Sequence, residues 1–544
     1  MSKSNSTDSH ELKKDSEEIK VSTRDELAQK VADAHENLLS YNQVIVVFLA
    51  MATALLLSFV DQTSITVTLP FMARDLNAEQ TASWAGTASL ISNTVFMVLF
   101  GRFSDIFSRK YTMIASMLIL AISDLACGLA QTPAQLYVFR GFCGIGNGGI
   151  TSLTMVIVSD IVSLEDRGKF QGILGACVGL GNAIGPFIAP AFITHSNWRK
   201  LYYTLFAIIT PATLVIFFLV PYTKPENSTL EKIKSLDYFG FLSSSIAIIF
   251  ILVPVSGGGS TYAWNSALVI SMLVTGSVSF LVFLFVEHKI ATLPLIPLKL
   301  FYNNVSLFVL LSQNLFFGIC YYSAIYYYPY YFEIVREYSV IKTSCFFLAL
   351  VLPQSFVSVG GGQIISRTKH YWHVIWFGYT MWMISMGLLN LWSVSNNKAI
   401  NVITMILNGL GIGCIFQPTL VAAQAQSYKR DRATIISTRN VLRSFGGAVG
   451  LAICTTILAN TFRRNLLNSG EMYFTTDQIE YLNTQIYTKI DLAKYSSVQT
   501  DFLRSLYMQS IKSIFYVWMG CMTYCFVSNI FVKDKGLRPL DDRD

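Results

Sequence analysis

The sequence predicts an all-α integral membrane protein with fourteen transmembrane helices, arranged as two six-helix bundles and an inserted helix pair. Three observations carry that expectation. The 544 residues are 53% hydrophobic and only 13% charged, with a mean hydropathy of +0.48, whereas soluble domains carry about 25% charged residues. Apolar runs long enough to cross about 30 Å of hydrocarbon recur along most of the chain. Two distant stretches also echo one another. Gly181 and Gly185 follow Asp166 at the separations at which Gly446 and Gly450 follow Asp431, and Gly144-Ile145-Gly146 is answered upstream by Gly411-Ile412-Gly413 at nearly the same distance. Glycine is common in membrane helices, but three echoes in one order indicate two related halves, as in many secondary transporters.

The formal net charge of +7 is spread through short loops between apolar runs, so no nucleic-acid patch is implied. All nine cysteines lie in apolar runs, which argues for small buried side chains and against a disulfide framework or a metal site. The first 42 residues carry no apolar core and hence no cleavable signal peptide, so the first span must act as the targeting signal.

Residues 1–42 form a polar tail in which Leu27, Val31, Ala34 and Leu38 have the spacing of a short amphipathic helix. Spans are expected at 44–68, 82–101, 111–131, 134–158, 168–194, 201–221, 238–256, 266–287, 306–331, 342–364, 372–393, 400–424, 434–460 and 509–532. The first six make an N-terminal bundle, 43–222. The seventh and eighth, after Leu236-Asp237-Tyr238-Phe239-Gly240, form the inserted pair within 223–303. The last six make a C-terminal bundle, 304–533, and 534–544 is a second tail. The long loop 461–508 contains Thr475-x-x-Gln478, a pattern that caps a short helix. Lysines and arginines, among them Arg102, Arg109, Lys110, Arg167 and Lys169, gather in alternate loops, so both termini are expected in the cytosol and loop 461–508 on the far side.

A charge at membrane depth costs at least about 2.5–3.5 kcal/mol and is a functional candidate by default. Asp61, Asp124 and Arg140 are the clear cases, and the rise of the helix places all three in the outer halves of their spans. His10, His35, His195, His288, His370 and His373 all fall in the tail or in loops, so a proton carrier within the spans must be a carboxylate. Asp61 is the first candidate: protonation would break an Asp61–Arg140 pair and let the halves rock, whereas a static pair would only fix helix packing. Gly185-Pro186 is expected to break its helix. Asp105 and Arg109 are spaced to meet on one helical turn or to pair with neighbouring helix ends. The tyrosine-rich run Tyr321 to Tyr331, ending at Glu333, has the composition of an interfacial belt, with a cation-binding face as the alternative.

At these residues the chain resembles the major facilitator superfamily, and within it the fungal fourteen-span drug:proton antiporter branch, over roughly residues 44–532. Val60-Asp61-Gln62-Thr63 through Leu69-Pro70 is similar to the family's first-helix motif, Gly101 to Lys110 to its loop motif, Arg140 to Gly144 to its fourth-helix motif and Gly185-Pro186 to its antiporter motif. Trp84, Asn197-Trp198-Arg199, Gln417-Pro418 and Arg443 to Gly450 match as well. The resemblance implies the major facilitator fold, two bundles alternating access to a central cavity. It implies proton coupling at Asp61 and Arg140, a conformational latch at Gly101, Asp105 and Arg109, and a kink shaped by Gly181, Gly185 and Pro186; Asp124 remains a further coupling candidate on its charge at membrane depth alone. Gln62, Trp84, Tyr322, Tyr326 and Gln417 are the candidates to line the cavity. There are departures. Ser108 replaces a usual glycine, Ala189-Pro190 a glycine pair, Asp124 a small neutral residue on a helix that is peripheral in this fold, and Glu333 a usual glutamine.

The expected function is a proton-coupled antiporter, of multidrug-efflux type, exporting small organic compounds that the extra acid Glu333 would make cationic. One alternative is a vacuolar importer of basic amino acids by proton exchange; another is a transceptor that binds nutrients without moving them. No nucleotide-binding loop, zinc-protease helix or nucleophile-elbow pattern is present, so an enzyme or an ATP-driven pump is not expected. The driving force is then the proton gradient, with no cofactor or metal. The expected partners are a small molecule, protons and the bilayer of a plasma or vacuolar membrane, around a monomer.

Overall fold

The computed structural model describes residues 40–78, 81, 83–221, 237–258, 262–290, 304–428, 431–484 and 495–537. The amphipathic pattern of the N-terminal tail lies outside them. The first half contains α1 (Tyr41–Asp75), α2 (Ser83–Phe107), α3 (Arg109–Leu129), α4 (Pro133–Ile161), α5 (Arg167–His195) and α6 (Trp198–Leu219). Next come α7 (Tyr238–Gly257) and α8 (Ala267–Lys289). The second half contains α9 (Val305–Tyr330), α10 (Val340–Thr368), α11 (Trp372–Leu389), α12 (Lys398–Phe416), α13 (Pro418–Ala425), α14 (Arg432–Ser469), α15 (Thr476–Thr484) and α16 (Ser497–Ser528). Among the described residues, twelve segments are long and apolar enough to cross a membrane, and α2 and α11 are not among the twelve.

Local chemistry sets the helix starts. The Thr132 hydroxyl accepts from the Gln135 N–H, with Pro133 occupying the first turn, and Asp237, Ser266, Asn304 and Ser339 cap α7, α8, α9 and α10 in the same way. Gln478 accepts from the Thr475 N–H at 3.1 Å at the start of α15, so the capping pattern there forms its helix.

Helix ends differ from the expected span ends because hydropathy marks where the bilayer stops, not where the helix does. α14 runs to Ser469 and α16 starts at Ser497, so much of 461–508 is helical. The expected twelfth span is divided at Gln417, where Pro418 has no N–H to continue the ladder. α9 passes into a π-helical turn, Tyr331–Val335. In contrast, α5 runs unbroken through Gly185, Pro186 and Pro190, where packing in an apolar environment outweighs local propensity. His195, His288 and His373 fall in terminal helical turns, not in loops.

The same pairings recur in the two halves. In the first, α1 packs on α5 and α6, α2 and α3 on α4, and α3 on α6; in the second, α9 packs on α14 and α16, α10 and α11 on α12, and α11 on α16. The echoed glycines explain the match. A Cβ on Gly181 would lie 2.7 Å from the Phe59 Cβ of α1, and one on Gly450 would lie 2.6 Å from the Ile319 Cα of α9, so each pair of helices touches backbone to backbone. The upstream echo shifts by two residues. Gly144 and Gly409 both face a carbonyl of the second helix of their half, while Gly146 and Gly411 face Leu120 and Trp382 of the third. Gly144 and Gly146 precede Asp166 by 22 and 20 residues, as Gly409 and Gly411 precede Asp431.

The halves meet through α5 against α10 and α2 against α14, while α7 and α8 pack on each other and α7 touches α2 and α14.

Candidate functional site

Two groups of charged side chains lie inside the helix array, one within the first half and one between the halves. α4 presents Arg140, Cys143 and Asn147 on one face. Arg140 Nη1 donates to Asp61 Oδ1 at 2.7 Å, and Asn147 Nδ2 donates to Asp61 Oδ2 at 2.6 Å. Ser58 Oγ fixes Asn147 by donating to its Oδ1 at 2.6 Å, and Gln62 Nε2 donates to Ser58 Oγ at 3.1 Å. The Arg140 guanidinium lies 5.9 Å from the ring centroid of Tyr202 on α6.

Asp124 belongs to this group although its helix is peripheral, because it falls on the buried stripe Met113, Met117, Leu120, Asp124 and Cys127 of α3. Cys143 Sγ donates to Asp124 Oδ1 at 3.5 Å, and the sulfurs of Cys127 and Cys143 are 3.8 Å apart. Asp124 Oδ2 is buried with no hydrogen-bond partner. Asp61, Asp124 and Cys143 bring one ligand atom each within 4.8 Å, but the Arg140 guanidinium already holds the cation position beside Asp61. Asp61 and Asp124 are 0% exposed and Arg140 is 1% exposed.

In the second group the sequence pointed to Gln417 and to the Arg443–Gly450 motif, but it gave neither Arg439 nor Arg443 a role. Arg439 and Arg443, four residues apart on one face of α14, are both 0% exposed. Arg439 donates to the Phe416 carbonyl, to Thr419 Oγ1 at 3.4 Å and to Asn440 Oδ1 at 3.2 Å. Arg443 stacks 4.5 Å from the Phe416 ring centroid, and its Nε, Nη1 and Nη2 have no hydrogen-bond partner. Both side-chain polar atoms of Gln417, and Gln354 Nε2, are likewise buried and unpartnered. Among the described residues, no carboxylate is hydrogen-bonded to either arginine.

This group faces the first half. Asn182 of α5 donates to the Tyr321 hydroxyl, and a Cβ on Gly175 of α5 would lie 2.9 Å from Gln417 Cγ. Neighbours of Arg443 bond across the divide, Ser444 with Thr94 at 2.8 Å and Asn440 with Met155 Sδ at 3.4 Å. Arg443 sits about 16 Å along α14 from Arg432, close to half a bilayer. These contacts, with Ser152 to Ser437, Ser358 to the Gly172 carbonyl and Lys369 to Glu165, lie at mid-depth or toward the ends that carry α2's last turn and α5's first. The array is thus drawn together on that side.

Around the loop motif, Gly101 packs against Ser437 of α14. Arg109 Nε donates to Asp160 Oδ2 at 2.9 Å, at the end of α4. Asp105 and Arg109 do not share a helical turn, because Ser108 interrupts the chain between α2 and α3 with φ +111°. That is a backbone conformation that favours glycine. The Asp105 side chain lies outside the described residues.

The tyrosine run forms neither a belt nor an open box. Tyr321, Tyr327, Tyr328 and Tyr331 are buried, and Tyr331 donates to the Ser393 carbonyl at 2.9 Å. Tyr322 is half-buried against Gly447, Tyr326 is 46% exposed, and Trp84 is half-buried beside Gly257 of α7. At the α1 end, Asp75 pairs with Arg199 and accepts from Trp198 Nε1 at 3.2 Å. The Arg199 hydrogen bond holds the Asp75 carboxyl below its ordinary pKa.

A family model for the Major Facilitator Superfamily matches residues 51–451. Citrate exporter 1 of Yarrowia lipolytica is 45% identical over 502 residues, 92% of this chain and 74% of that protein. The vacuolar membrane amino acid uptake transporter fnx2 of Schizosaccharomyces pombe is 26% identical over 508 residues, 93% and 87% of the two chains. Among solved structures, the proton:xylose symporter XylE superposes with a TM-score of 0.58 at 12% identity, covering 92% of this chain and 98% of that one, a likeness of fold alone.

Proposed function

The chain belongs to the major facilitator superfamily and is a membrane transporter, not an enzyme, and on that premise we propose that it exports small organic anions, carboxylates above all, in exchange for protons. The observation that carries this reading is Arg443, a fully buried guanidinium with three unpartnered nitrogens where the halves meet. Burying an unpaired ion costs several kcal/mol, so such a group persists where an anion visits and leaves. Arg439 one turn away adds a second positive charge, and the unpartnered amide of Gln417 supplies further polar contacts. The 45% identity to a citrate exporter points to the same class. A cationic drug or a basic amino acid would meet two guanidiniums, and Glu333, which suggested a cation, lies in the π-helical turn beyond α9.

The proton half of the cycle rests on Asp61 and Arg140, whose pair ties α1 to α4. Exchange of an anion for protons moves charge in the direction that an inside-negative potential favours, about 2.3 kcal/mol per charge per 100 mV. The reading includes fourteen spans, with α2 and α11 crossing beside the twelve apolar segments, and both termini in the cytosol. The contacts drawn together on the α2/α3 loop side then describe a cytosol-closed state.

Transport in proteoliposomes of pure protein tests this, with an imposed pH gradient and labelled citrate, lysine and a cationic dye side by side. Citrate should accumulate uphill, and Asp61→Asn should reduce this to the level without a gradient. Uptake of dye or lysine without citrate would sink the anion reading, and uphill citrate transport at the normal rate by Asp61→Asn would sink the coupling role. No uptake of any solute would favour a transceptor.

A further inference from the structure

The Asp61–Arg140 pair leaves one member of the buried cluster without a role. Asp124 packs into the same pocket from α3, and the pocket holds two carboxyl groups but one guanidinium, all closed to solvent. With both acids ionised the cluster would carry an uncompensated negative charge, which burial penalises by several kcal/mol. One bound proton removes it.

The hydrogen bonds decide which acid takes the proton. Asp61 accepts on both oxygens, from the cationic Arg140 at 2.7 Å and from the Asn147 amide at 2.6 Å. Asp124 accepts only a thiol at 3.5 Å on Oδ1, a weak donor, and its Oδ2 has no partner. Among the described residues, the titratable groups that face the cluster are Asp61 from α1, Arg140 and Cys143 from α4, Cys127 on α3 and Tyr202 from α6. The neighbouring Tyr203 turns its hydroxyl to the Gly128 carbonyl at 2.9 Å. Of these described groups, Arg140 is the cation.

We propose that Asp124 holds the transported proton on its unpartnered oxygen in this conformation, while Asp61 stays ionised against Arg140. The inference rests on the proton-exchange reading above. Loss of that proton presents Arg140 with a second carboxylate, so Asp124 and Asp61 compete for one guanidinium and the tie between α1 and α4 loosens. Proton release on α3 thereby becomes movement of α1.

Infrared spectroscopy of the full-length protein in lipid at neutral pH reads the proton directly, as a carboxylic acid C=O stretch that shifts in deuterium oxide. The wild type should show the band and Asp124→Asn should lack it. Asp61→Asn should lack it too, because the remaining acid then pairs with Arg140. Asp124→Glu should restore a displaced band, which covers a poorly folding Asp124→Asn. In parallel proteoliposomes, Asp124→Asn should lower pH-driven citrate accumulation to the level without a gradient.

Wild-type protein that accumulates citrate under a pH gradient yet shows no protonated carboxyl overturns the Asp124 assignment and leaves the exchange reading standing. An Asp124→Asn protein that keeps both band and uptake overturns the assignment in the same way. A wild type with the band but no response to the gradient fells the exchange reading, and with it the transport role given to Asp124.

Discussion

Replacing Arg443 by methionine separates stability from function. The guanidinium is buried with three unpartnered nitrogens, and its described contact is the Phe416 ring at 4.5 Å. A desolvated cation–π contact returns about 2 kcal/mol, against a desolvation penalty of several. Replacing buried ions by apolar side chains of similar volume is often neutral or stabilising by about 1–4 kcal/mol. Arg443→Met should therefore leave the empty protein as stable as wild type or about 2 kcal/mol more so, a rise of a few degrees in melting temperature. Citrate should distinguish the two proteins. At a hundredfold excess over Kd it should stabilise wild type by about 2.7 kcal/mol and the variant hardly at all. The assay is a thermal melt in detergent at a fixed scan rate, with and without citrate, since such proteins unfold irreversibly. The reasoning is refuted if the empty variant melts several degrees below wild type while citrate stabilises both equally, for Arg443 would then be a structural cation with an undescribed partner.

Other expectations follow from the geometry. Ser108→Gly should relieve the φ of +111° and stabilise the protein by about 1–2 kcal/mol, which the same melt checks; an unchanged or lower midpoint counts against strain at this turn. Gly450→Val and Gly181→Val should each wedge a helix pair apart, at Ile319 and at Phe59, so correctly inserted protein should lose at least tenfold in transport rate, and normal rates would show that the backbone approach is dispensable. The Asp75–Arg199 pair should contribute under about 1 kcal/mol, because such surface pairs are screened. Its carboxyl is held below its ordinary pKa. The contribution is therefore complete above the unfolded value of about 4 and fades as pH falls through the lowered folded value. Melts of Asp75→Asn and wild type should accordingly converge only in strong acid, and a gap that widens there would reverse the assignment.

Composition and local pattern showed that the chain belongs in a bilayer. Hydropathy is a property of each residue, summed over a window, so the apolar runs, the rarity of Asp61, Asp124 and Arg140 within them and the repeat of glycine spacings were all legible in sequence. Even there the register of one echo slipped by two residues, because only the facing helix shows which glycine must lie flat against Ser89 or Leu350. Tertiary structure decided which charges have partners. Arg140 and Arg443 look alike as arginines in apolar helices, yet one finds Asp61 at 2.7 Å and the other finds no hydrogen-bond partner. Likewise, Arg109 finds Asp160 at the end of another helix. Pairing depends on the face a residue occupies and on the helix that crosses there, both set by packing among elements far apart in the chain. The solvent a segment prefers is written residue by residue, whereas the partner a charge finds exists only once the helices have met.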